Sequence, residues 1–398
     1  MRRPPLDHAA INNMATAAGP PHAALTYSTA LPARAATRPI TFDNDGGASM
    51  TTTSMSTAVS VDETARALVA DGKGLLAADE TPPTLTRRLT ALTITSTPET
   101  RRDYREMLFS TPGISDFIAG VIMQDETIHQ ETSAGEPLVE LVIRRGMIPG
   151  IKVDHGVTPL AGSPGEFVTE GLDGLRDRLA AYRDLGARFA KWRAVFFIDD
   201  GLPTATCVDA NAHALARYAA LCQEEGLVPI VEPEVLMDGA HTVERCEDVT
   251  EWVLQAVFDA LFHQRVAPEG MLLKPNMVVA GRDCPRPASI DEVAAATLRT
   301  LSRHVPPAVP GVVFLSGGQD CVSATEHLSA INQMEGPKPW KLSFSYGRAL
   351  QDEALQAWRG SNNNVAAGQQ AFHHRAHCSC AAAQGRYGSS METEPVFA

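Results

Sequence analysis

Eight times between about residues 74 and 350, a short apolar run gives way to a helical stretch, and most runs end on charged or polar residues. The runs are Gly74–Ala78, closing on Asp79-Glu80; Phe117–Met123; Met147–Val153, which carries Lys152 and closes on Asp154; and Phe189–Phe197, with Lys191 and Arg193. The remaining four are Leu227–Val231, closing on Glu232 and Glu234; a run ending at Lys274; Gly311–Leu315, before Ser316-Gly317-Gly318; and Leu342–Tyr346, before Gly347-Arg348. Between them, Leu175, Leu179 and Tyr182 recur at helical spacing before Gly186, and Leu215, Tyr218 and Cys222 before Gly226. Apolar stripes closed by glycine mark helices that pack on a sheet. Strands apolar throughout and separated by helices mark a parallel sheet covered on its outer face. Eight such units fit a closed α/β architecture, the (β/α)8 TIM barrel, which typically takes roughly 250 residues. An open doubly wound sheet competes, but no Gly-x-Gly-x-x-Gly follows the first strand.

Polar strand ends would gather at one mouth of such a barrel, where active sites are built. Lys274 ends the apolar run Met271-Leu272-Leu273 and precedes Pro275. Burial favours the neutral form of an amine, and a neutral amine attacks a ketone to form a Schiff base. Lys191 nearby would push the same way by like-charge repulsion. Glu232 reads as a proton shuttle and Asp79 as a second carboxylate; a salt-bridge network with the lysines is compatible with both roles. Several cations in the mouth of an acidic chain, formal charge -13, point to an anionic substrate. Ser316-Gly317-Gly318 and Gly347-Arg348 follow strands seven and eight, where such barrels cradle phosphate. The overall charge speaks against non-specific nucleic-acid binding. No apolar run is long enough to cross a bilayer, so a soluble protein is expected. Seven scattered cysteines suggest reduced thiols. His373, His374, His377, Cys378 and Cys380 lack paired metal-ligand spacing, and no metal is expected.

The expected organisation has three parts. Residues 1–55 form a disordered extension, 56–360 the barrel, and 361–398 a C-terminal helix with a mobile tail. Up to residue 40, Arg2, Arg3, Arg34 and Arg38 face only Asp7, in a background of small and hydroxylated residues. That bias suggests an organelle transit peptide, with a plastid as the favoured address and the cytoplasm as the alternative.

Seven segments in order resemble the class I, Schiff-base fructose-bisphosphate aldolases. They are Gly72–Glu80, Gly150–Asp154, Phe189–Arg193, Ile230–Glu234, Leu272–Met277, Phe314–Gln319 and Ser343–Leu350. The resemblance implies reversible cleavage of fructose 1,6-bisphosphate to dihydroxyacetone phosphate and glyceraldehyde 3-phosphate, without a cofactor. It implies an imine at Lys274, acid–base work by Glu232 aided by Lys191, and abstraction of the C4 hydroxyl proton by Asp79. Ser316, Gly317, Gly347 and Arg348 would hold the C1 phosphate, with Ser345 counted among the substrate-binding residues. Arg88, with Thr84 and Lys152, would hold the C6 phosphate, while Glu234 and Arg193 support the neighbouring charges. A homotetramer is also implied.

Three departures stand out. The chain ends Val396-Phe397-Ala398 without the terminal tyrosine of animal and plant members, its last tyrosine being Tyr387. His155 replaces a second lysine. Pro82-Pro83 replaces a flexible stretch and is expected to stiffen the loop leading to Arg88. A transaldolase-like transferase is the rival enzyme, disfavoured by two phosphate sites. A scaffold role is the rival non-enzyme, disfavoured by the retained Lys274, Glu232, Lys191 and Asp79.

Overall fold

The computed structural model describes residues 60–393. The expectations about residues 1–55 and about the terminal Phe397-Ala398 fall outside them.

In chain order the elements are α1 (Val61–Leu68), β1 (Gly74–Ala77), α2 (Pro82–Ala91), α3 (Pro98–Phe109), β2 (Ile118–Met123), α4 (Asp125–Ile128), α5 (Leu138–Arg144) and β3 (Ile148–Lys152). A short pair, β4 (Val157–Pro159) and β5 (Phe167–Thr169), is followed by α6 (Leu175–Asp184), β6 (Phe189–Phe196), α7 (Ala205–Glu224), β7 (Val228–Val235) and α8 (Val243–His263). The chain continues through β8 (Leu272–Leu273), α9 (Ile290–His304), β9 (Gly311–Phe314), α10 (Cys321–Gln333), β10 (Lys341–Tyr346), α11 (Arg348–Trp358) and α12 (Val365–Ala383). Eight strands close in the order β1-β10-β9-β8-β7-β6-β3-β2, while β4 and β5 form a separate antiparallel hairpin. Every barrel pairing is parallel. The expected TIM barrel is therefore the fold.

Alternation along each strand sorts the residues into two cores. Leu76, Ala190, Trp192, Val231, Leu273 and Val312 pack outward against the helices. Their neighbours Leu75, Ala77, Phe189, Val228, Ile230, Leu272 and Val313 form a second cluster inside the barrel, joined by Ala65, Leu68 and Val69 from α1 and the residue just after it. A Ser60–Glu63 capping box starts α1, satisfying two otherwise orphan backbone donors. The ring of Phe189 fills the interior so tightly that a Cβ on Gly150 would lie 2.3 Å from it. Glycine is required there by close approach of the ring, whatever the backbone angles.

Several details differ from the sequence reading. β7 continues past Val231 to Val235, so Glu232 and Glu234 lie within the strand. The Pro82-Pro83 pair lies at the start of α2. There a missing N–H costs nothing and the fixed φ suits the helix, so the prolines start the helix bearing Arg88 and stiffen no loop. The β4–β5 hairpin was not anticipated. The soft-ligand cluster lies on α12, where Phe372, Ala376, Cys378 and Ala382 are buried. The helix packs on α3, α10 and α11. Among the described residues, no helix is long and apolar enough to cross a membrane.

Candidate active site

Two residues beyond the inner apolar cluster, the same inward faces become charged. Leu75 and Ala77 lead to Asp79, Phe189 to Lys191, Ile230 to Glu232, and Leu272 to Lys274. The period of two that builds the core thus aims these four side chains inward. β3 contributes Lys152, in register with Lys191 on β6.

These groups form one connected ladder. Lys274 Nζ lies 3.1 Å from Glu232 Oε1, and Lys191 Nζ lies 3.2 Å from Glu232 Oε2. Lys191 Nζ also lies 2.7 Å from Asp79 Oδ2 and 4.0 Å from Asp154 Oδ2. Lys152 pairs with Asp154 and donates to its carbonyl at 2.7 Å. Three lysines thus face three carboxylates. The side chains of Lys191 and Lys274 are 4% exposed and that of Glu232 5%. Charges so deeply buried are tolerable only when paired.

Burial alone would push the Asp79 carboxyl up. The ammonium groups of Lys191, Lys274 and Lys152 outweigh it and hold Asp79 well below the usual carboxylate range. Burial likewise works against the Lys191 ammonium, yet Asp79, Glu232 and Asp154 raise its pKa above that of an ordinary lysine. Asp154 is depressed against burial by Lys152 and Lys191. At rest Lys191 is therefore a cation and Asp79 an anion.

The rim holds the other expected residues. Ser316 is buried, and Gly317 and Gly318 take left-handed φ values of 59° and 92°. The Ser345 hydroxyl is buried with no hydrogen-bond partner. Gly347 is the N-cap of α11, which begins at Arg348, and the first N–H groups of a helix face an anion favourably. Arg193 pairs with Glu234.

Arg88 differs from expectation in its surroundings. Its guanidinium is taken up by Glu80, by Asp352 at 2.9 Å and by Gln351 Oε1 at 3.1 Å. Burial works against its charge, but these acids raise its pKa overall. Thr84 stands on the first turn of α2, and its hydroxyl accepts from Thr81 at 3.1 Å. The structure thus gathers Lys274, Glu232, Lys191, Asp79 and Lys152 in one network, and leaves Arg88 in a carboxylate cluster beside it.

Two participants were given no role by the sequence reading. Asp154 ties Lys152 to Lys191, and its position two residues after inward-facing Lys152 was the available signal. Arg105 braces the residue after Asp79, donating to Ala78 O at 2.9 Å and to Glu80 Oε2 at 2.8 Å. Nothing in the local sequence marks Arg105. Away from the barrel mouth, donor atoms of His374, Cys378 and Glu392 lie within 4.8 Å of one another. Glu392 is already held by Arg375 and by the Tyr387 hydroxyl, and burial pushes the Cys378 thiol up to about 11.

Comparisons with known proteins agree with this geometry. The family profile described as "Fructose-bisphosphate aldolase class-I" matches residues 60–396. "Probable fructose-bisphosphate aldolase class 1" of Xylella fastidiosa is 54% identical over 326 residues, covering 82% of this chain and 97% of its own. Fructose-bisphosphate aldolase B of Gallus gallus is 51% identical over 331 residues, 83% of this chain and 91% of its own. Among solved structures, fructose-bisphosphate aldolase from Plasmodium falciparum, crystallised with TRAP and a small-molecule inhibitor, superposes with a TM-score of 0.82 at 47% identity. It covers 83% of this chain and 95% of its own. A closed parallel barrel, a lysine–carboxylate ladder at its mouth and a family match over all the described residues place this chain among the class I fructose-bisphosphate aldolases.

Proposed function

We propose that this lyase cleaves fructose 1,6-bisphosphate through an imine on Lys274, with Glu232 as the proton carrier and Asp79 as the base. The observation that carries the reading is the bridging position of Glu232, one oxygen 3.1 Å from Lys274 and the other 3.2 Å from Lys191. Transfer of the Lys274 proton to Glu232 gives a neutral amine and a protonated acid together. The amine adds to the C2 carbonyl. The acid then protonates the departing carbinolamine hydroxyl, which leaves as water, and the imine forms in its protonated state. Lys191 stays charged throughout and balances Glu232 when it becomes anionic again.

Cleavage follows from the same layout. Asp79 takes the proton of the C4 hydroxyl, the C3–C4 bond breaks, and its electron pair moves into the protonated imine. Glyceraldehyde 3-phosphate leaves, the resulting enamine gains a proton at C3 while Asp79 gives up the one it accepted, and water hydrolyses the iminium to dihydroxyacetone phosphate and the Lys274 ammonium. An iminium is an effective electron sink because it already carries the charge that the pair neutralises. Ser316, Gly317, Ser345, Gly347 and Arg348 serve the C1 phosphate. Arg88, Thr84 and Lys152 serve the C6 phosphate, Arg88 by exchanging exposed Asp352 for the ligand. Glu234 keeps Arg193 oriented at the rim.

The remaining parts of the reading are a homotetramer and a plastid address in residues 1–55. Phe262, 81% exposed on α8, supports the first by offering apolar surface for a second copy, and the composition of the extension supports the second. Light scattering and N-terminal sequencing of the mature protein test them.

The mechanism is tested by incubation with dihydroxyacetone phosphate and EDTA, reduction with borohydride, and mass mapping. A stable adduct on Lys274 is expected. An adduct elsewhere, or none together with loss of activity in EDTA, would overturn the imine at this residue.

A further inference from the structure

We propose that Arg282, on the loop after β8, is a second guanidinium for the phosphate at Arg348 and sets the affinity of the site for the ketone-side phosphate. This rests on the imine reading above. The two arginines, one on the loop after β8 and one at the start of α11, converge on one glycine. A Cβ built on Gly318 would lie 2.9 Å from an Arg282 Nη and 3.5 Å from an Arg348 Nη.

The position of Arg282 is built in. Its own N–H donates to Met237 O at 2.7 Å, and its neighbours Gly281 and Asp283 donate to His241 O and Gly239 O at 2.8 and 2.9 Å. The loop after β8 is thereby zipped to the loop after β7. A Cβ on Gly281 would come within 2.3 Å of Gly239 O, so the two backbones meet at their closest beside Arg282.

Charge supplies the second half of the argument. Arg88, Arg105 and Arg193 each face a carboxylate. Among the described residues, no ion pair or side-chain hydrogen bond engages the guanidinium of Arg282 or Arg348. Two like charges aimed at one point repel unless an anion lies between them. A phosphate dianion accepts from two guanidinium forks at once. The buried, unpartnered Ser345 hydroxyl lies two residues before Gly347 and supplies a further donor beside Arg348.

The test compares Arg282→Ala with Arg286→Ala, which removes the same charge from the same loop but is paired with Glu292. Three quantities are read: inorganic phosphate affinity by calorimetry, the dihydroxyacetone phosphate concentration for half-maximal borohydride trapping, and KM for fructose 1,6-bisphosphate and fructose 1-phosphate. Arg282→Ala is expected to weaken all of them about tenfold with kcat within about twofold. Arg282→Lys should fall between, and Arg286→Ala should match the unsubstituted protein. Unchanged phosphate affinity in Arg282→Ala overturns the proposal. So does an equal loss in Arg286→Ala, or a KM effect confined to the bisphosphate, which would put Arg282 at the far phosphate. Failure of the unsubstituted protein to form an adduct on Lys274 would sink the imine reading instead, while the phosphate calorimetry would still decide the role of Arg282.

Discussion

Phe189 and Lys191 stand two residues apart on β6 and face the same way, yet they belong to opposite ends of the barrel interior. At the Phe189 end the lumen is filled by Leu75, Ile122, Val228, Ile230 and Val313, closed by α1. At the Lys191 end the equivalent inward positions carry a balanced set of buried ions. Directional pairing replaces shape-filling within one pleat repeat. The apolar end holds the strands at a fixed spacing, and that spacing keeps Lys274 and Lys191 each within hydrogen-bond reach of Glu232. The difference teaches that stability and chemistry in this molecule can be perturbed separately.

The sharpest break in the comparison is Lys274→Met. We expect kcat to fall by about 10^4-fold or more, with borohydride adducts absent and the urea midpoint moved little. Substantial residual turnover would show that the charged end does not work through this amine. At the other end, Phe189→Ala should cost about 3–5 kcal/mol of stability by urea unfolding, while KM of the folded fraction stays within about twofold. A large KM shift would mean that the two ends are not separable.

Lys191→Met should sharpen the comparison by its pH behaviour. Asp79 is depressed in the fold below its usual 3.8. Its stabilising contribution is therefore complete above that value and lost as pH falls through the depressed one. Without Lys191 the carboxyl rises. The acid limb of the kcat–pH profile should then move up by about one unit, the rate near neutrality should drop about 10^2-fold, and stability should depend less steeply on pH below 3.8. An unmoved acid limb would show that Lys191 does not govern Asp79. The smallest effect is expected from Ser60→Ala, which removes the capping box of α1 and should cost about 1 kcal/mol without altering KM.

The sequence carried the barrel because its strands open on runs that are apolar on both faces, as expected of a covered parallel sheet. It carried Lys274, Glu232 and Asp79 because each follows an apolar run at its mouth-side end, and Lys191 because it interrupts one. What it hid was partnership across long separations. The sequence names Arg88 but not its partners: Gln351 and Asp352, whose side chains bind it, lie 263 and 264 residues away. The convergence of Arg282 on Gly318 depends on how two loops are zipped, which no local pattern records. The β4–β5 hairpin was missed because each strand has only three residues, too few to display a period.

The barrel closes by pairing its first strand with its last: Leu75 is in register with Ser345, and the Ser343 hydroxyl reaches the carbonyl of Lys73 across 270 residues of chain. During synthesis at about 5–20 residues per second, β1 would wait roughly 15–50 s for its partner. Throughout that interval one edge of β1 and the apolar lumen are open to the surroundings. Asp79, carried just beyond β1, must also wait for the chain to pass β8 and deliver Lys274 before the charged set is complete. Catalytic competence is thus a late event in the life of each nascent molecule, and a ribosome stalled before β10 would release a sheet with two raw edges, a natural client for chaperones.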